Sequence, residues 1–133
     1  MRDADSLILL ADYCEGAASD EALGLEDLFG VFRAAWPLPA FPSKHVSDIF
    51  RDLFLDLWAG GSSVRAAAVL APEGCIYRSG RDVDGPATHR FLCEVVPDRA
   101  PYRTIRAVAD TEALARVAAF LRAHIPMEGI AHA

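Results

Sequence analysis

Apolar residues recur with a helical period ahead of the run Gly60-Gly61-Ser62-Ser63 and alternate, as in strands, after it. Leu25, Leu28, Phe29, Phe32, Ala35 and Trp36 follow the i, i+3, i+4, i+7 spacing of an amphipathic helix. Pro37 ends it, and Pro37-Leu38-Pro39-Ala40-Phe41-Pro42 cannot extend it. An earlier helix is expected over residues 5–15, capped by Asp5 or Ser6 and stopped at Gly16. Ser43 opens a third, whose stripe is Val46, Ile49, Phe50, Leu53, Leu57 and Trp58. Phe54 and Leu55 widen that stripe beyond one contact surface.

Beyond the glycine pair, strands are expected over residues 64–70, 75–79, 89–96 and 102–109. Ala71-Pro72-Glu73-Gly74 turns the first into the second, with Pro setting φ and Gly free to take positive φ. Asp110 is the expected cap of a last helix that buries Leu114, Val117, Ala118, Leu121 and Ile125 and ends at Pro126. The predicted fold class is α+β: three N-terminal helices, a four-stranded antiparallel meander covered on one face, and a C-terminal helix. The whole chain reads as one domain, with a helical part over 1–60, a sheet over 61–109, a helix over 110–125 and a tail over 126–133.

Parity sorts the sheet faces. His89, Phe91, Cys93 and Val95 share one side with Cys75, Tyr77 and Ser79, an uncharged and aromatic surface suited to packing under helices. Arg78, Arg90 and Glu94 share the other. Two registers keep these faces. One sets Arg78 opposite Arg90, which is unfavourable; the other pairs Arg78 with Glu94. The sequence leaves both open.

The stretch Val69-Leu70-Ala71-Pro72-Glu73-Gly74-Cys75-Ile76-Tyr77 resembles the opening hairpin of roadblock and profilin-like domains. The resemblance covers only this short stretch. Those folds insert a helix after the second strand, where this sequence continues with a loop and another strand, so no function is carried over.

Composition narrows the classes. With 133 residues, 53% of them hydrophobic, the chain has one domain's worth of core and is not intrinsically disordered as a whole. No apolar run is long enough to cross a bilayer, so no membrane partner is expected. The start is acidic and leads into a short apolar run, Leu7 to Leu10, unlike a secretory signal. The net charge is −6, the wrong sign for a generic nucleic-acid binder. Residues 1–60 hold 11 acids and 4 bases, whereas 61–133 hold 8 acids and 9 bases. Twelve arginines against one lysine, Lys44, with abundant alanine, suit a GC-rich bacterial genome. Three cysteines, Cys14, Cys75 and Cys93, lack C-x-x-C spacing and leave an odd one over, as in a reduced, cytoplasmic protein.

Several groups carry candidate chemistry. His45, Asp48, Asp52 and Asp56 lie on one stripe of the third helix and offer nitrogen and oxygen donors to a divalent metal, although any amphipathic helix needs such a polar side. Cys75, His89 and Cys93 combine a thiol with an imidazole, the pairing of an activated thiolate, but buried cysteines more commonly act as small hydrophobes. Asp82-Val83-Asp84-Gly85 begins like a calcium loop and lacks its remaining oxygens and closing Glu. Ser43-Lys44-His45 at a helix start offers amide N–H groups and a lysine to an anion, with no Gly-rich loop to go with them.

The expected function is therefore a non-enzymatic protein-interaction or regulatory domain that binds another protein or itself as a homodimer. Leu38, Phe41, Phe54, Leu55 and Trp58 exceed what one modest core requires, and Arg78 and Arg90 add a charged face. No cofactor is expected. The competing expectation is a small-molecule-binding protein or small enzyme, with a pocket between helices and sheet. A winged-helix DNA binder comes third, because Asp48, Asp52 and Asp56 on its reading helix would face phosphates.

Overall fold

A computed structural model of the chain describes residues 3–17, 44–72, 74–81, 90–98 and 102–124, with side chains from Ile8 in the first segment and from Asp52 in the second. Four helices and three strands follow in the order α1 (Asp3–Gly16), α2 (Lys44–Ala59), α3 (Ser63–Val69), β1 (Ile76–Arg81), β2 (Phe91–Val96), β3 (Ile105–Ala109) and α4 (Glu112–Ala123). The fold is α+β, with an antiparallel sheet in the order β1-β2-β3. The helix expected over 25–36, Leu38, Phe41, the loop from Asp82 and His89 lie outside the described residues.

The segment expected as a first strand is helical. Ser63–Val69 is α3, so among the described residues the sheet has three strands rather than four. Three consecutive alanines, Ala66, Ala67 and Ala68, favour helix strongly. Their neighbours bury at helical spacing, with Ala66, Ala67 and Leu70 all fully buried and Arg65 exposed. Gly60 and Gly61 thus join two helices, and Gly61 takes φ +84° to do so. The change from helix to strand falls instead at Gly74, where φ is +77° and a Cβ would stand 2.8 Å from the Asp98 carboxylate. Val69 ends a helix, so the stretch to Tyr77 is not a hairpin and the resemblance to roadblock and profilin-like domains ends there.

The last helix is the centre of the molecule. Thr111, not Asp110, is its cap, its Oγ1 accepting from the Leu114 N–H at 3.1 Å. Asp110 pairs with Arg90 instead. Nine of the twelve residues of α4 are buried, on every side of the helix. Five of them are alanines, which let α1, α3 and the strands approach closely. A helix apolar all round belongs in an interior, and α4 lies between the sheet and the helices α1 and α3, with α2 packed on α3. Phe120 projects from it against Tyr77 of β1, rings edge to face at 4.8 Å. At its C-terminal end the buried His124 donates from Nε2 to the carbonyl of Leu70 at 2.6 Å, tying the end of α4 to the end of α3.

The sheet takes the register that sets Arg78 opposite Glu94. Cys93, Val95, Ile105, Ala107 and Ala109 are buried toward α4. The free edge of β3 is closed by charge. Glu15 of α1 accepts from the Val108 N–H at 3.0 Å, Arg122 of α4 donates to the Arg106 carbonyl at 3.2 Å, and Arg90 donates to the Val108 carbonyl at 3.1 Å. Arg122 also pairs with Glu15 and with Asp12, so one network binds α1, α4 and β3.

Burial pushes the Glu15 carboxyl up. The Arg122 hydrogen bond, the Val108 N–H and the charges of Arg122 and Arg90 outweigh it, leaving Glu15 below its ordinary value of 4.5. A depressed carboxylate stabilises the fold fully above its unfolded pKa and loses that contribution as pH falls through the folded value. Glu15→Gln, which keeps an acceptor for Val108, is expected to lose about 1 kcal/mol at pH 7. The gap to the unsubstituted protein should close as urea unfolding is repeated below pH 4. A gap that persists unchanged in acid rules out the charge as its source.

Candidate functional site

The outer side of the sheet carries no helix among the described residues. Alternation along β1 and β2 sends Ile76, Arg78, Glu94 and Val96 to this side, away from α4. Pairing sets Arg78, Glu94 and Arg106 in one row across the three strands. Arg78 reaches Glu94 Oε1 with Nε at 2.8 Å and Nη2 at 2.6 Å, and Arg106 Nε lies 3.4 Å from Oε2. Both carboxylate oxygens are thus engaged. The side chain of Glu94 is 17% exposed, whereas those of Arg78 and Arg106 are 83% and 63% exposed. The row holds one half-buried negative charge under two outward positive ones. Exposed pairs of this kind add little stability, about 0–1 kcal/mol each, so what they confer is mainly surface character.

Apolar groups border the row. Ile76 is 75% exposed, while Val96 is half-buried. Ile76, Tyr77, Arg78, Glu94, Val96 and Thr104 line an open groove of ≈ 240 Å³. The combination is a shallow apolar floor with guanidinium groups at its rim.

The other residues singled out in the sequence fall elsewhere. Phe54 and Trp58 of α2 are interior, their rings 5.5 Å apart, and Leu55 is half-buried against the same core. They leave the exposed apolar patch expected of them because α2 packs on α3, a helix where a strand was expected. Arg90 does not join the outer row. It turns round the edge of β3 to Asp110 at 3.2 Å and to the carbonyls of Glu15 and Val108. Asp52 and Asp56 are exposed on α2, the helix that also carries His45 and Asp48. Among the described residues, no three His, Cys, Asp or Glu side chains converge as metal ligands.

Cys93 is fully buried, opposite Ser79 and Ala107, and burial pushes its thiol up to about 12. Cys75 stands just ahead of β1, and burial raises its thiol too. Both are free thiols held in the protonated form, unsuited to the thiolate chemistry weighed for them.

One polar cluster escaped the sequence reading. On the inner side, Ser79 Oγ donates to Glu112 Oε2 at 2.5 Å and accepts from Arg116 Nε at 2.8 Å. Arg116 also pairs with Glu112 and lies over the Tyr77 ring at 5.3 Å. The serine hydroxyl is used both as donor and as acceptor, so the cluster acts as a clasp between β1 and α4. Its sequence signal is an i, i+4 Glu–Arg pair on a helix whose only other charged residue is Arg122.

No helix among the described residues is long and apolar enough to cross a membrane. No protein-family model matches the chain, and neither a curated protein nor a solved structure shows significant similarity to it.

Proposed function

We propose that this chain is a non-enzymatic protein-interaction domain whose docking surface is the outer side of its sheet. The observation that carries the reading is the row Arg78–Glu94–Arg106, its carboxylate saturated and its two arginines outward, beside the exposed Ile76 and Tyr77 that line the same groove. Arginine and aromatic groups around an apolar floor are the residue types enriched where proteins meet. The competing reading places a pocket between helices and sheet, where the described side chains of Cys93, Val95, Leu114 and Phe120 are fully buried. Regulation through a bound partner and a cytoplasmic location, suited to three free thiols, belong to the same proposal.

A photo-crosslinking residue placed at Ile76, at Arg106 and, as control, at the exposed Arg65 of α3 tests the surface in native cells. Defined adducts from the two sheet positions and few from the control are expected. Equal yields at all three positions, or none from the sheet, overturn the proposal.

A further inference from the structure

We propose that the free edge of β1 accepts an extended, acidic segment of a partner protein as a fourth strand, an inference that rests on the interaction-domain reading above. Sheet parity fixes which backbone groups are on offer. On β3, the Val108 N–H meets Glu15, and the carbonyls of Arg106 and Val108 meet Arg122 and Arg90, so these residues aim their backbone away from β2. Ile105, Ala107 and Ala109 therefore bond to Val95, Cys93 and Phe91. Alternation along β2 then turns Leu92, Glu94 and Val96 toward Gly80, Arg78 and Ile76. Tyr77, Ser79 and Arg81 remain, with N–H and C=O directed outward and no backbone partner among the described residues. Three such donor and acceptor pairs in a row form a template for strand addition.

The two sheet edges differ in cover. Glu15, Arg90 and Arg122 close the edge of β3. The edge of β1 has no comparable cover among the described residues. Nor does it carry a proline or a bulge, since its register with β2 runs unbroken through six pairs.

Charge selects the occupant. Arg81 lies over the Phe91 ring at 5.2 Å and has no carboxylate partner among the described residues. Arg78 is 83% exposed, and the Glu94 it touches is shared with Arg106. Arg116 covers Tyr77, its carboxylate Glu112 already engaged. Among the described residues, guanidinium groups thus stand on both sides of the edge in excess of free carboxylates. A second copy paired across β1 would gather Arg78 and Arg81 from two chains, which like-charge repulsion disfavours. Alternating carboxylates on a foreign strand, which all fall on one side of it, meet Arg81 and Arg116 on the inner side instead, with the intervening apolar side chains beside Ile76 on the outer side.

Three short peptides test this with the full chain: one alternating Glu and Val, one alternating Lys and Val, and the Glu/Val peptide N-methylated at alternate amides. The Glu/Val peptide is expected to slow amide exchange at Tyr77, Ser79 and Arg81 and to leave Val108 unchanged. The other two should bind at least about tenfold more weakly. Arg81→Glu, with its fold checked by circular dichroism, should reverse the preference between Glu and Lys peptides. Tolerance of N-methylation, or no protection at these three amides, overturns strand addition. Crosslinks from Ile76 that persist in that case leave the interaction surface itself standing, whereas their absence removes both. Protection that grows with protein concentration without peptide, together with a doubled mass in light scattering, identifies a second copy and overturns the acidic partner.

Discussion

Replacing Phe120 with alanine should destabilise the fold by about 3–5 kcal/mol, the range for removing a fully buried aromatic ring. Phe120 is 0% exposed and projects from α4, the element every strand and two other helices pack against. Truncation empties the space under Tyr77 and removes the edge-to-face contact at 4.8 Å. The surrounding backbone has little freedom to collapse, because sheet and helices are pinned from both sides by the same helix. Urea unfolding followed by circular dichroism measures the loss, with Phe120→Leu expected to recover a good part of it. A loss below about 1 kcal/mol would place Phe120 outside the cooperative core.

His124→Phe should cost about 1–3 kcal/mol while changing the buried volume little. The residue is 1% exposed, and its Nε2–H is 2.6 Å from the carbonyl of Leu70, itself fully buried at the end of α3. Phenylalanine keeps a ring in place and takes away the donor, so the penalty is that of a helix-end carbonyl left dry and unmet. His124→Gln retains an N–H and should lose less than the phenylalanine variant. If His124→Phe is as stable as the unsubstituted protein while His124→Gln is not, the ring and not the hydrogen bond supplies the stability.

The fold class was legible because long periodic stretches and Gly–Pro punctuation carry it. Residues 91–96 and 105–109 are apolar but for Glu94 and Arg106, which fall on one side of the sheet, and both segments are strands. Residues 64–70 misled because alanine is neutral to burial: every second position looks apolar, and so does every third and fourth. Its helical preference was the better guide. The same substitution of a helix for a strand explains Phe54 and Trp58, which seemed surplus only while α2 lacked α3 to cover it. In α4, Leu114, Val117, Ala118 and Leu121 stood out as one face, and Phe120 did not, since a stripe analysis assumes that a helix has a wet side. The Arg78–Glu94 pairing was one of two registers in view, and Arg–Arg repulsion is the physical reason it prevails. Arg90 was assigned by parity to the outer side, but its long side chain leaves that plane to serve the edge of β3.

The position of α4 has a further consequence for how the protein is made. A ribosome delivers the sheet and the other helices before residues 112–123 leave the exit tunnel. Until then the inner side of the sheet lacks the helix that covers it among the described residues, and α1 and α3 lack the contacts each makes with α4. Nascent chains of this protein therefore carry the apolar surfaces that α4 covers exposed until it emerges, and the packing of sheet against helices waits for that one element.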